Sequence, residues 1–247
     1  MGGVRQRPRR REVWLAAALV VAAAGAIYAG QQDCTAARAA MVAELRRPGA
    51  RPAIRDERVL AAMGKVPRHQ FVPAAYLSRA YRDTEIPLGS GEVMCSPYVV
   101  ALMTQTLELK RKARVLEVGT GSGYQTAVLA ELGAVVFSVE QQKSVADKAA
   151  ACLYACGYRS VKLRVGEEAK GWPANGPYDA ILVTAAVDRA PNGLVSQLAE
   201  GGCLVYALGR GPEQTLNRIR KQGDVIRAEA VTPIRMSDST RRPRRGR

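Results

Sequence analysis

Ten consecutive residues, Val115-Leu116-Glu117-Val118-Gly119-Thr120-Gly121-Ser122-Gly123-Tyr124, join a β-branched run to an acid and three alternating glycines. The pattern reads as a strand that turns sharply into a helix, where Gly119, Gly121 and Gly123 let the backbone approach a ligand closely. The turn lacks the Lys-Ser/Thr ending of a phosphate-binding loop, and its spacing is not the G-x-G-x-x-G of a dinucleotide site. Glu117, two residues before the first glycine, suits a cationic amino-acid ligand. Glu140 closes the next strand about 20 residues on, where a carboxylate takes both hydroxyls of a ribose in a doubly wound sheet. One ribose without a pyrophosphate points to an adenosine ligand.

Other reactive side chains form no such constellation. His69 is the only histidine, and with no Cys or Ser motif beside it, it reads as a loop or surface residue. Cys34, Cys95, Cys152, Cys156 and Cys203 are an odd number in a chain too large to need disulfide staples, and they make no metal signature. Cys152 and Cys156, four apart on a predicted helix, read as small buried side chains.

The elements that must position the glycine turn alternate. Strands are expected at 114–118, 135–140, 161–165, 178–184 and 202–208, and helices at 123–132, 144–156 and 191–198. That order gives a parallel sheet with helices on both faces. Upstream, helical spacing over 35–62 is broken by Pro48 and Pro52, predicting two short helices. A stretch punctuated by Pro67, Pro73, Pro87 and Pro97 follows as loop, and then a helix over 98–109.

With 247 residues, 47% of them hydrophobic, the chain can bury one sizeable core. Its net charge of +15 sits largely at its ends. Residues 1–11 hold five Arg and no acid, and residues 235–247 six Arg and one Asp, so each end carries +5 and +5 remains between them. A mildly basic middle without interleaved aromatics does not predict nucleic-acid binding. Val13 to Gly30 is an uncharged run behind the arginines and reads as a signal anchor or a cleaved signal peptide. The expected organisation is therefore a basic flank (1–12), a membrane or export segment (13–30), a helical and loop region (31–110), a Rossmann-like core (111–236) and a basic disordered tail (237–247).

The glycine turn with its continuation Tyr124-Gln125-Thr126-Ala127-Val128-Leu129-Ala130 resembles the nucleotide-binding segment of protein L-isoaspartyl O-methyltransferases. Further blocks resemble that family in order: Val66-Pro67-Arg68-His69-Gln70-Phe71-Val72-Pro73, Ala80-Tyr81-Arg82-Asp83, Ile86-Pro87-Leu88-Gly89, Pro97-Tyr98-Val99-Val100, Gly171-Trp172-Pro173 and Asp179-Ala180-Ile181-Leu182-Val183-Thr184. The resemblance implies a class I methyltransferase fold, an α/β Rossmann-like, mostly parallel seven-stranded sheet with an N-terminal helical extension. It also implies S-adenosylmethionine as cofactor, with Glu117, Gly119, Gly121, Gly123, Glu140, Gly166 and Glu167 as its contacts. The implied reaction is methylation of the α-carboxylate of isoaspartyl residues in damaged proteins or peptides, by a monomer without a metal. Such an acceptor is already ionised at neutral pH and needs no strong general base.

The chain departs from the family pattern at three places. Where the family reads Gly-Gln-Thr-Ile-Ser-Gln-Pro, with the Ser taken as the active-site residue, this chain has Gly91-Glu92-Val93-Met94-Cys95-Ser96-Pro97. Cys95 and Ser96 are the catalytic candidates, and a thiol there would hold the acceptor weakly or repel it as thiolate. Gly166-Glu167-Glu168 replaces Gly-Asp-Gly, and Pro233-Ile234-Arg235 replaces Pro-Leu-Thr. Glu92 is expected to need a cation such as Arg235 beside it. The alternatives are a methyltransferase for a different carboxylate and a catalytically impaired, membrane-anchored binding protein. The location implied is membrane-associated or exported, or cytoplasmic if translation starts at Met41.

Overall fold

The computed structural model describes residues 34–49, 51–89, 91–211 and 213–236. The basic flank, the uncharged run 13–30 and the basic tail lie outside the described residues. No helix among those described is long and apolar enough to cross a membrane.

The N-terminal region supplies helix α1 (34–46) and α2 (Glu57–Lys65). Asp56 caps α2 by accepting from the Arg58 N–H, and Glu57 in the first turn faces the positive end of the helix dipole. Val59, Leu60, Ala62 and Met63 are buried, so α2 is held chiefly by its apolar face. Short 3₁₀ segments at Arg68–Phe71 and Ala74–Arg79 follow. The stretch expected as loop also contains a small antiparallel hairpin, β1 (Ile86–Gly89) with β2 (Glu92–Met94). Helix α3 (Pro97–Thr106) comes next; Ser96 caps it and Pro97 occupies its first turn, where its missing N–H costs nothing.

The core is a seven-stranded sheet in the order β5-β4-β3-β6-β7-β8-β9. Strands β3 (Arg114–Val118), β4 (Val135–Glu140), β5 (Lys162–Val165), β6 (Tyr178–Val187) and β7 (Leu198–Leu208) pair in parallel. β8 (Gln214–Gln222) and β9 (Val225–Ile234) add an antiparallel meander. Helices α4 (Tyr124–Glu131) and α5 (Lys143–Ala155) make two crossovers; α6 is a single turn at Asn192–Val195. α6 is shorter than its sequence pattern predicts because β7 already begins at Leu198.

Central strands are apolar on both faces because helices cover both. Val115 packs on one side with Leu129, Val136 and Leu182, and Leu116 and Val118 on the other with Phe137, Ile181 and Leu204. Removing one such Val or Leu side chain from water contributes roughly 1.5–3 kcal/mol. From β3 the chain steps outward to β4 and β5, then returns to β6 on the other side of β3. This reversal puts a crevice beyond the carboxyl ends of β3 and β6, where open α/β sheets bind their ligands.

Candidate active site

The glycine turn sits in that crevice. Gly119, Gly121 and Gly123 all have positive φ (93°, 53° and 86°). They do different jobs. A Cβ on Gly119 would collide with Thr184 Oγ1 at the end of β6, whereas Gly121 has only Leu88 within van der Waals reach. Gly123, the N-cap of α4, packs on Leu153 and Ala149 of α5. The Thr184 hydroxyl faces the Val118 and Gly119 carbonyls at 3.0 and 2.6 Å, tying β6 to the turn.

The two strand-end acids behave differently. Glu140 is 1% exposed and accepts from the Gly121 N–H (3.1 Å) and the Gln142 N–H (2.9 Å), placing its carboxylate against the turn. Glu117 is 0% exposed and lies behind the turn, where Oε2 accepts from the Thr126 and Ser138 hydroxyls at 2.5 and 2.6 Å. Its Oε1 has no partner among the described residues. Burial pushes the Glu117 carboxyl up to about 8, the two hydroxyls opposing and the Glu140 charge adding to it.

An inner cavity of about 70 Å³ is lined by Gly119, Gly121, Glu92, Cys95, Gln141 and Glu168, among others, and by no Lys or Arg. Beyond it an outer groove of about 930 Å³ runs past Arg51, Asp83, Ser96, Tyr98, Glu213 and Arg235. Glu85 and Met236 line both. Cys95 faces the inner cavity and Ser96 the outer groove, so the peptide between them stands at the junction.

The Cys95 loop is fastened by its main chain. Arg68, 0% exposed, donates from Nη2 to the Cys95 carbonyl (2.7 Å) and from Nε to the Ala80 carbonyl (2.8 Å), with its guanidinium 4.6 Å from the centre of the Tyr124 ring. The Cys95 thiol donates to the Thr184 carbonyl at 3.7 Å, and burial pushes it up to about 12. It is therefore a neutral thiol, which removes the thiolate repulsion anticipated from sequence. Ser96 Oγ accepts from the Val99 N–H (3.4 Å). Burial raises the nearby Asp83 carboxyl, but the Arg51 guanidinium, the Tyr98 N–H and the Ser96 hydroxyl outweigh it and hold it below its usual range.

The geometry differs from two expectations about charged residues. Glu92 does not pair with Arg235: it accepts from Gln142 Nε2 at 2.6 Å, while Arg235 pairs with Glu213 at 3.3 Å. Glu167 is exposed and pairs with Lys170 three residues on, outside the cavity. Its neighbour Glu168 turns inward instead, which sequence reasoning missed although the Gly-Glu-Glu departure flagged the position. Gly166 lies against the Arg164 side chain and does not line the cavity. His69, bonded to the Tyr81 hydroxyl at 2.7 Å, lines neither concavity. Cys152 and Cys156 pack against the core, and no metal-binding group of three or more occurs among the described residues.

An acidic, cation-free cavity at the glycine turn disfavours a phosphate-rich nucleotide and matches the charge of a positively charged adenosine derivative, with Val93, Met94, Val100 and Met103 as apolar walls. Together with the parallel sheet and its switch point, this defines a class I S-adenosylmethionine-dependent methyltransferase. The model of the protein-L-isoaspartate(D-aspartate) O-methyltransferase family matches residues 36–240, and the chain belongs to that family. A protein-L-isoaspartate O-methyltransferase of Synechococcus sp. is 52% identical over 162 residues, 66% of this chain and 66% of its own length. The enzyme of the same name from Gloeobacter violaceus is 43% identical over 81% of this chain and 97% of its own. A solved protein-L-isoaspartate O-methyltransferase structure aligns with a TM-score of 0.71 at 26% identity, covering 81% of this chain and 65% of its own. One from Plasmodium falciparum in complex with S-adenosyl-L-homocysteine aligns at 0.68, with 23% identity over 81% of this chain and 97% of its own, and shows the shared fold.

Proposed function

We propose that this protein transfers the methyl group of S-adenosylmethionine to the α-carboxylate of isoaspartyl residues in damaged proteins, the acceptor lying in the outer groove. The single observation that carries this reading is the shared wall. Cofactor cavity and groove meet at Glu85, Met236 and the Cys95–Ser96 peptide, so a peptide carboxylate in the groove reaches the cavity at one point.

When bound, the cofactor supplies a methyl group on a sulfonium cation. The protein's task is to bring an ionised carboxylate in line with it, dry and correctly oriented. A carboxylate with an ordinary pKa of about 4 is its own nucleophile, so no residue need remove a proton. Cys95, neutral, puts no charge against the incoming carboxylate, and Arg68 fixes the Cys95 carbonyl from behind. Ser96 caps α3 and fixes the groove side of the loop. Burial, and after it the Glu140 charge, raises the Glu92 carboxyl, with the Gln142 bond opposing.

The test is methyl transfer from labelled cofactor to an isoaspartyl peptide and to its aspartyl twin. Label in the isoaspartyl peptide alone is expected. Cofactor binding with label in neither peptide would reassign the acceptor to a different carboxylate. The uncharged run Val13 to Gly30 behind five arginines supports a membrane or export signal ahead of the enzyme. Cell fractionation should recover the chain with membranes or outside the cytosol; a wholly cytosolic product beginning at Met41 would overturn that.

A further inference from the structure

The inward turn of Glu168 is not explained by the family pattern, which has glycine there. Its carboxylate lies beside the first glycine of the turn, with Oε1 3.9 Å from where a Gly119 Cβ would stand. The groups facing it are mostly acidic. Glu140 approaches from the end of β4 and Glu92 from β2, while the Gln141 N–H donates to it. Glu85, the neutral Cys95 and the Thr184 hydroxyl also line the cavity there. The nearest cations on its own segment are engaged elsewhere: Arg164 lies over Trp172, and Lys170 pairs with Glu167. A nucleoside-sized ligand exceeds a cavity of about 70 Å³ and must displace part of its lining, to which Glu168 belongs.

We propose that Glu168 is a specificity-determining residue that makes the cofactor cavity read charge at sulfur, favouring the sulfonium of S-adenosylmethionine over the neutral thioether of S-adenosylhomocysteine. The two ligands differ by one methyl group and one positive charge. A carboxylate close by in a low-dielectric crevice separates them by charge, whereas the glycine usual at this position would not. Product release is thereby eased, because transfer removes the charge that held the ligand. Burial, and after it the Glu140 and Glu92 charges, pushes the Glu168 carboxyl up to about 7, against the Gln141 N–H. The preference therefore grows as pH rises through neutrality and Glu168 ionises.

This inference rests on the methyltransferase reading, and its test is binding, independent of any acceptor. Calorimetry on the full chain would compare both ligands at pH 6 and pH 8 for wild type, Glu168→Gln and Glu168→Gly. Wild type should prefer S-adenosylmethionine, with the ratio of dissociation constants about tenfold larger at pH 8, equivalent to one pKa unit. Both variants should bind both ligands, with the pH 8 ratio reduced about tenfold. Binding of S-adenosylmethionine should also release protons, measured from heats in two buffers of different ionisation enthalpy, and less so in Glu168→Gln. Variants that keep the wild-type ratio and pH dependence, or a Glu168→Gln that loses both ligands equally, would overturn the proposal while leaving the enzyme class intact. A wild type that binds neither ligand would overturn the cofactor assignment along with it.

Discussion

The glycine turn and the Cys95 loop face one cavity but are held in place by different means. The turn is set by backbone: three positive-φ glycines, the end of β3, and a carboxylate from the adjacent strand accepting Gly121's N–H. The loop is set by side chains brought from far along the chain, Arg68 to Cys95 and Gln142 to Glu92. Backbone geometry tolerates few substitutions, and here the residue pattern matches the family. Side-chain anchoring leaves residue types free, and here the chain departs from it. The difference teaches that cofactor binding is the less negotiable half of the site.

The strongest way to break that contrast is Gly119→Ala. The added Cβ meets Thr184 Oγ1 at a φ of 93° that alanine avoids. A loss of roughly 3 kcal/mol of stability is expected, with cofactor affinity reduced beyond calorimetric detection. Arg68→Met strikes the other half. It leaves the Cys95 and Ala80 carbonyls short of their donor in a dry interior, costing about 2–3 kcal/mol in urea unfolding. Activity should fall through a raised acceptor KM, while cofactor affinity changes less than about threefold. Equal losses of both would erase the distinction between the halves.

Glu117→Gln sharpens it. Glu117 has a folded pKa of about 8, above its unfolded value, so the folded state binds the extra proton. Stability is unpenalised below the unfolded pKa and falls as pH rises from about 4.5 to 8. Glutamine does not ionise, so the variant should match wild type near pH 5 and exceed it by about 1–2 kcal/mol at pH 8, less than the full linkage value because relaxation and water screen the charge. A constant offset between the two pH values would show that Glu117 does not titrate there. Cys95→Ser is the mildest. Replacing a neutral thiol by a better hydrogen-bond donor should change stability by less than about 0.5 kcal/mol and raise kcat/KM for an isoaspartyl peptide a few-fold.

The same contrast decides what could be read without a structure. β3 and β4 begin and end where their β-branched runs do, and the glycine turn follows its spacing. β8 and β9 escaped notice because Gln214–Gln222 holds only two apolar residues, Leu216 and Ile219, three apart and so without a strand period, and β9 is almost wholly exposed. Their pairing is supported by contacts far apart in the chain instead: Arg218 of β8 binds Glu229 of β9, while Arg218 and Arg220 bind Glu108 in the turn after α3. The β1–β2 hairpin was masked by Pro87 and by its brevity. At the site, Glu140's place followed from strand periodicity, whereas the opposite directions of Glu167 and Glu168 did not. Lys170 draws Glu167 outward, a choice made by side-chain contacts that no spacing rule contains.

The meander has a consequence for the molecule's behaviour in a crowded solution. Among the described residues the sheet ends at β5 and β9, and an open strand is a template on which another chain can extend the ladder. β5 carries Lys162 and Arg164; β9 carries Arg227, Glu229 and, near its end, Pro233, which has no N–H to offer. A strand arriving at either border would have to crowd like charges or leave a carbonyl without a donor. Exposed Val225, Ile226 and Val231 are thus kept beside guards that discourage fibrillar stacking.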